Sequence, residues 1–135
     1  MRVVLDANVL VSAVLSRSGA PAALLAAAIE AEIELVVCPA LLEETSRALG
    51  RPKLRSRIAS ADSERLLELL RELADVVADP EAPPPIQSSD PADDYLLALA
   101  AREQVPLVSG DAHLLALSER APVFSPREFL EGLRE

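Results

Sequence analysis

Residues 2–10 read Arg2-Val3-Val4-Leu5-Asp6-Ala7-Asn8-Val9-Leu10, and the fold class turns on how this stretch is read. Val3, Val4 and Leu5 are contiguous and apolar. A short run without alternation suits a strand buried on both faces, as in a parallel sheet, better than an edge strand. The run ends in one carboxylate, Asp6, and no basic residue follows until Arg17. In open α/β sheets ligands collect outside the carboxyl ends of the strands, which puts Asp6 where chemistry is done. Asp is also a favoured helix N-cap, so Asp6 alone leaves ligand and cap both open.

Outward from this strand, helical and strand patterns alternate. Asn8 to Leu15 reads as a short helix broken by Ser16-Arg17-Ser18-Gly19. Pro21 opens a second helix to about Ala31. Ile33 to Val37 reads as a second buried strand. Pro39 introduces a helix from Ala40 to Leu49, stopped by Gly50 and Pro52. A short basic helical piece follows from Lys53 to Ile58. Asp62 or Ser63 is expected to cap the clearest amphipathic helix, whose apolar face is Leu66, Leu67, Leu69, Leu70 and Leu73. Val76-Val77 gives a third strand. Asp79 to Asp90 carries Pro80, Pro83, Pro84 and Pro85 and reads as a rigid internal loop. Asp90-Pro91 starts a helix to about Glu103, and Pro106 to Val108 forms a fourth strand. Ala112 to Leu117 is a short helix and Ala121 to Phe124 a fifth strand. Ser125-Pro126-Arg127-Glu128 opens the last helix with a capping box. Such alternation predicts an α/β fold with a mostly parallel central sheet of four to five strands.

Composition bounds the rest. At 135 residues one domain, 1–135, is expected. Hydrophobic residues make up 50% but aromatics only 2%, so the core must be Leu, Val, Ile and Ala. The single Cys, Cys38, allows no intramolecular disulfide and no Cys-based metal site; it is expected to be buried and inert. No signal-peptide pattern is seen and no apolar run reaches the roughly 20 residues of a membrane span. A cytoplasmic protein with no membrane association is therefore expected. The net charge of −9 argues against coating nucleic acid by charge alone. It leaves room for a nuclease that holds metal with carboxylates, because a bound cation reverses the local field.

Further acids fall where Asp6 already stands. Asp111 follows the Leu107-Val108 strand as Asp6 follows Val3 to Leu5, and the two meet if their strands are neighbours. Asp93 and Asp94 lie in the first turn of the preceding helix. Glu44, with Glu43 as its rival, lies in the third helix. Each also has a bland reading: Asp90, Asp93 and Asp111 suit helix caps, Asp94 the helix dipole, and Glu44 a solvated face. Together they have a common chemistry. Carboxylates forced together repel unless protons or cations intervene. Hard cations such as magnesium or manganese take oxygen ligands and assist phosphodiester hydrolysis. From Thr45 to Ala61 there is no acid, and Arg47, Arg51, Lys53, Arg55 and Arg57 form a patch that suits either phosphates or solvent, with Arg47, Arg51, Lys53 and Arg55 the candidates for binding nucleic acid. The lone His113 reads as a surface or satisfied residue, and Tyr95 as packed against the core.

The motifs Val4-Leu5-Asp6-Ala7-Asn8-Val9-Leu10, Pro39-Ala40-Leu41-Leu42-Glu43-Glu44, Asp90-Pro91-Ala92-Asp93-Asp94-Tyr95-Leu96 and Leu107-Val108-Ser109-Gly110-Asp111 occur in this order. The chain resembles PIN domains, in particular the bacterial PIN-domain toxins of type II toxin–antitoxin modules related to the VapC ribonucleases. The resemblance implies a three-layer α/β/α sandwich and a ribonuclease dependent on Mg2+ or Mn2+, leaving a 5′-phosphate and a 3′-hydroxyl. It implies that Asp6, Glu44, Asp93 and Asp111 are the catalytic metal ligands, with Asp94 adjacent to Asp93 as a rival. Asn8, Ser12 and Ser109 match assisting polar positions, Ser109 standing where the family usually has Thr. An acid the family often shows is replaced by Ala92. The implied partners are an RNA substrate, a small antitoxin and a second copy of the chain in a homodimer. Two alternatives stand beside the toxin: a non-catalytic PIN-fold binding module, and a nuclease of RNA processing outside a toxin–antitoxin system. A receiver-like or phosphatase reading fits poorly, because Asn8 stands where a second Asp would be needed.

Overall fold

In the computed structural model, residues 1–135 are described throughout. The chain begins with β1 (Arg2–Leu5) and α1 (Ala7–Leu15), then α2 (Ala20–Ile29) and β2 (Glu34–Val37). After these come α3 (Pro39–Leu49), α4 (Pro52–Arg55), α5 (Ser60–Leu73) and β3 (Asp75–Val76). A single 3-10 turn, Pro91–Asp93, leads into α6 (Asp94–Glu103), and β4 (Leu107–Val108), α7 (Ala112–Leu115), β5 (Val123–Phe124) and α8 (Pro126–Arg134) complete the chain. The five strands form one sheet in the order β3-β2-β1-β4-β5, and every pairing is parallel. The expected mixture of mostly parallel strands is thus wholly parallel, flanked by helices as an α/β/α sandwich.

β1 occupies the middle, and its fully buried Val3 and Val4 confirm a strand covered on both sides. Right-handed crossovers place α1 to α5 on one face and α6 on the other. The packing agrees: α1 lies against α2, α3 and α5, α3 against α5, and α8 returns to α2, while α6 packs on β1 and β4. One contiguous apolar cluster, built from Leu, Val, Ile and Ala with Cys38 and one buried aromatic, Phe129, runs through both layers. No single helix is long and apolar enough to cross a membrane.

Several element boundaries depart from the sequence reading, three of them near the site or its supports. α5 begins at Ser60 with Ala59 as its cap, so Asp62 lies in the first turn instead of capping; it still favours the helix dipole there. The segment from Asp90 does not run straight into a helix, because Pro91 first winds a 3-10 turn before α6 starts at Asp94. β3 sits one residue earlier than Val76-Val77, although the Val77 amide still donates to the Val37 carbonyl at 2.8 Å. The capping box of α8 forms as expected: Ser125 Oγ accepts from the Glu128 amide and Glu128 Oε1 from the Ser125 amide.

Candidate active site

The strand order reverses between β1 and β4, the kind of point where parallel sheets open a crevice at their carboxyl ends. β1 and β4 pair with Val4 opposite Leu107 and Leu5 opposite Val108. The Asp6 amide donates to the Val108 carbonyl at 3.0 Å. Asp6 therefore leaves β1 level with Ser109 leaving β4, and the two strand-end acids share one crevice.

Asp6 is 3% exposed. Its Oδ1 accepts from the Val9 amide at 2.9 Å, so it caps α1. Its Oδ2 accepts from the hydroxyl of Ser109, which is fully buried and in turn accepts from the Asp111 amide at 2.9 Å. Cap and cluster member are thus two oxygens of one carboxylate. Burial pushes the Asp6 carboxyl above its usual range; the bonds from Ser109 and Val9 oppose this, and the charges of Glu44 and Asp111 add to it. Asp111 caps α7, its Oδ1 accepting from the His113 amide at 2.7 Å.

Asp93 carries the sharpest signal. Its Oδ2 is buried without any hydrogen-bond partner. Its carboxyl is raised to about 6, by burial first and then by the charges of Asp111, Asp90 and Glu44. Asp94 turns elsewhere: its Oδ1 accepts from the Ser88 amide at 2.9 Å and the Ser88 hydroxyl at 3.2 Å, pinning the Pro-rich loop. Asp90 caps the 3-10 turn through the Ala92 amide at 3.0 Å. On α3, Glu43 is exposed, while the half-buried Glu44 accepts from the Tyr95 hydroxyl and its charge reaches Asp6 and Asp93.

Asn8 is exposed on the first turn of α1 and Ser12 half-buried a turn later. The hydrogen bonds into the cluster come instead from Ser109, Tyr95 and the backbone of Val9 and His113. His113 is satisfied by the Ser89 hydroxyl. Cys38 is buried and its thiol pushed up to about 11 by burial, so it is inert at neutral pH. Two contributors escaped sequence reading. Tyr95 packs against the core as expected, but its hydroxyl reaches Glu44. Asp79 accepts from the Ala40 amide at 2.8 Å and supplies the N-terminal cap that Cys38 does not give α3.

Arg47, Arg51, Glu43, Glu44, Ala92 and Tyr95, with Ala40, line a cleft of about 520 Å³ beside the acids. Lys53 and Arg55 are exposed on α4, and Arg55 faces a separate groove shared with α5. Of the expected basic patch only Arg47 and Arg51 therefore border the site.

A protein-family model described as PIN domain matches residues 2–113. The chain belongs to the PIN domain family. The matched span holds all four acids. PIN domains are in general metal-dependent nucleases, and this chain has the nuclease-type fold. The PIN chain is similar to the crystal structure of PAE2754 from Pyrobaculum aerophilum, with a TM-score of 0.60 and 15% identity over 99% of this chain and 90% of that one. That likeness carries the fold. No curated protein matches.

The donor set of this PIN domain fits a hard divalent cation: oxygen only, with a buried carboxylate oxygen unpartnered. As placed, no three Asp, Glu, His or Cys side chains close on a common point. The four-ligand arrangement is therefore looser than the sequence suggests. Like charges repel, and each carboxylate except Asp93 is held back by a hydrogen bond of its own. Magnesium keeps several waters and is commonly held through one or two carboxylates, so the open arrangement suits it.

Proposed function

We propose that this PIN domain is a Mg2+- or Mn2+-dependent endoribonuclease. The observation that carries the reading is the buried, unpartnered Asp93 Oδ2 in the crevice shared by Asp111, Asp6 and Glu44. A carboxylate costs free energy in such a place unless a proton or a cation joins it. Asp93 and Asp111 would hold the ion most directly, with Asp6 and Glu44 completing its surroundings. Such an ion, when bound, stabilises charge developing on a phosphodiester and makes water a better nucleophile. Ser109 fixes Asp6 by donating to it and opposes the effect of burial by favouring the charged form, and Asn8 and Ser12 lie within the same first helix for polar contact with substrate. Arg47 and Arg51 would take the phosphates flanking the cleaved bond. The products would be a 5′-phosphate and a 3′-hydroxyl.

The wider role rests on the motif resemblance: toxin of a type II module, acting in the cytoplasm as a homodimer and silenced by a small antitoxin laid across the acidic crevice. The test is cleavage of a broad panel of structured RNAs by purified protein with Mn2+ or Mg2+, beside Asp6→Asn. Wild type should cleave, and the variant should lose more than the roughly 10- to 100-fold typical of removing an outer-shell partner. Equal activity of the two proteins across the panel would overturn the nuclease reading.

A further inference from the structure

Tyr95 is the only tyrosine in a chain without tryptophan. It stands on the first turn of α6, and its hydroxyl donates to Glu44 Oε2 on α3. The bond spans 51 positions in sequence and joins helices from opposite limbs of the sheet. Glu44 differs from the other acids in how it can be held. Asp6 and Asp111 are short side chains fixed by backbone amides at helix starts. Glu44 lies inside α3, where backbone amides are already spent on the helix. Its longer side chain keeps more rotamers to lose, and no hydrogen bond other than that from Tyr95 restrains it.

We propose that Tyr95 is a positioning residue for Glu44: its hydroxyl holds one carboxylate oxygen and leaves the other directed at the space among Asp6, Asp93 and Asp111. This rests on the reading of that space as a divalent-cation site. Ligating carboxylates are commonly fixed by a hydrogen bond of this kind, and its loss weakens metal affinity roughly 10- to 100-fold. A purely packing role is separable, because the ring of Tyr95 and not its hydroxyl makes the apolar contacts.

The sole tyrosine makes the arrangement visible. Metal-stripped protein is titrated with Mg2+ while tyrosine emission and calorimetric heat are both followed. Emission should change saturably with the affinity that calorimetry gives, and Glu44→Gln should abolish that change. Tyr95→Phe should bind Mg2+ roughly 10-fold more weakly while its metal-free form still melts in one cooperative transition. Binding heat with flat emission, or Tyr95→Phe binding as tightly as wild type, overturns the positioning role and leaves the metal site standing. An absence of binding heat in the wild type overturns the metal-site reading, and this inference with it.

Discussion

Asp93 is where burial and like charge push in one direction. The folded protein holds its proton more tightly than the unfolded chain does, the value moving from 3.8 to about 6. Between those values the native state binds the extra proton, so stability is greatest below the window and falls as pH rises through it. Asp6 shifts in the same sense. Glu103, held down by Arg102, and Glu128, held down by the start of α8, shift in the opposite sense. The informative quantity is therefore wild type against Asp93→Asn. In chelator, the wild-type thermal midpoint should drop relative to the variant as pH rises from 3.8 to about 6, and divalent cation added above the window should recover it. A difference that stays constant across the window would mean that Asp93 ionises freely. At this scale the places of Asp6 and Asp111 were legible, because strand ends announce themselves in apolar runs. The directions in which Asp93, Asp94, Glu43 and Glu44 turn were not. Neighbours on a helix point about 100° apart, and the direction is set by distant groups, Ser88 for Asp94 and Tyr95 for Glu44.

Elements were read well where punctuation was strong: Pro39, Pro126 and the Ser125 box opened helices as expected. They were read less well where backbone geometry lacks its usual residue. α2 ends in a Schellman motif, the Glu32 amide donating to Ala27 at 2.9 Å and the Ala31 amide to Ala28 at 3.1 Å. Ala31 occupies the left-handed position at φ 63, where Gly is customary. The helix consequently stops at Ile29, short of the Ala31 end that the sequence pattern predicts, because no Gly marks the turn. α6 closes in the same way with Gln104 at φ 55 and the Val105 amide on Ala100 at 3.0 Å. A side chain in that region costs on the order of 1 kcal/mol. Ala31→Gly should therefore raise stability by about 1 kcal/mol, or roughly 3 °C in thermal midpoint. Calorimetric melting checks it, and a lowered midpoint would show that the turn is held by its Cβ contacts instead.

Across the whole molecule the two ends of the sheet differ in charge. At the amino ends of the strands Arg2 pairs with Glu34, Asp75 and Glu103, so acids on β2, β3 and α6 there share a cation from β1. At the carboxyl ends Asp6, Asp93 and Asp111 meet no such cation. Strand order produces this division, and it was the least legible feature. Nothing local in Leu107-Val108 says that β4 crosses back over the sheet to pair with β1 rather than extending it past β3. In a chain of net charge −9, an RNA strand is repelled at long range, and contact must come from local cations. Of the basic residues between Thr45 and Ala61, Arg47 and Arg51 border the acidic cleft. Binding of single-stranded RNA loses affinity with salt by about 0.7 in logarithmic slope per phosphate contact. In an Asp6→Asn background, which leaves the RNA uncut, Arg47→Ala with Arg51→Ala should reduce the slope by about 1.4. Lys53→Ala with Arg55→Ala should leave it unchanged. Fluorescence anisotropy at fixed divalent concentration and varied monovalent salt measures both. If the second pair moves the slope and the first does not, the phosphate path runs over α4, and the cleft beside Glu44 is not where RNA enters.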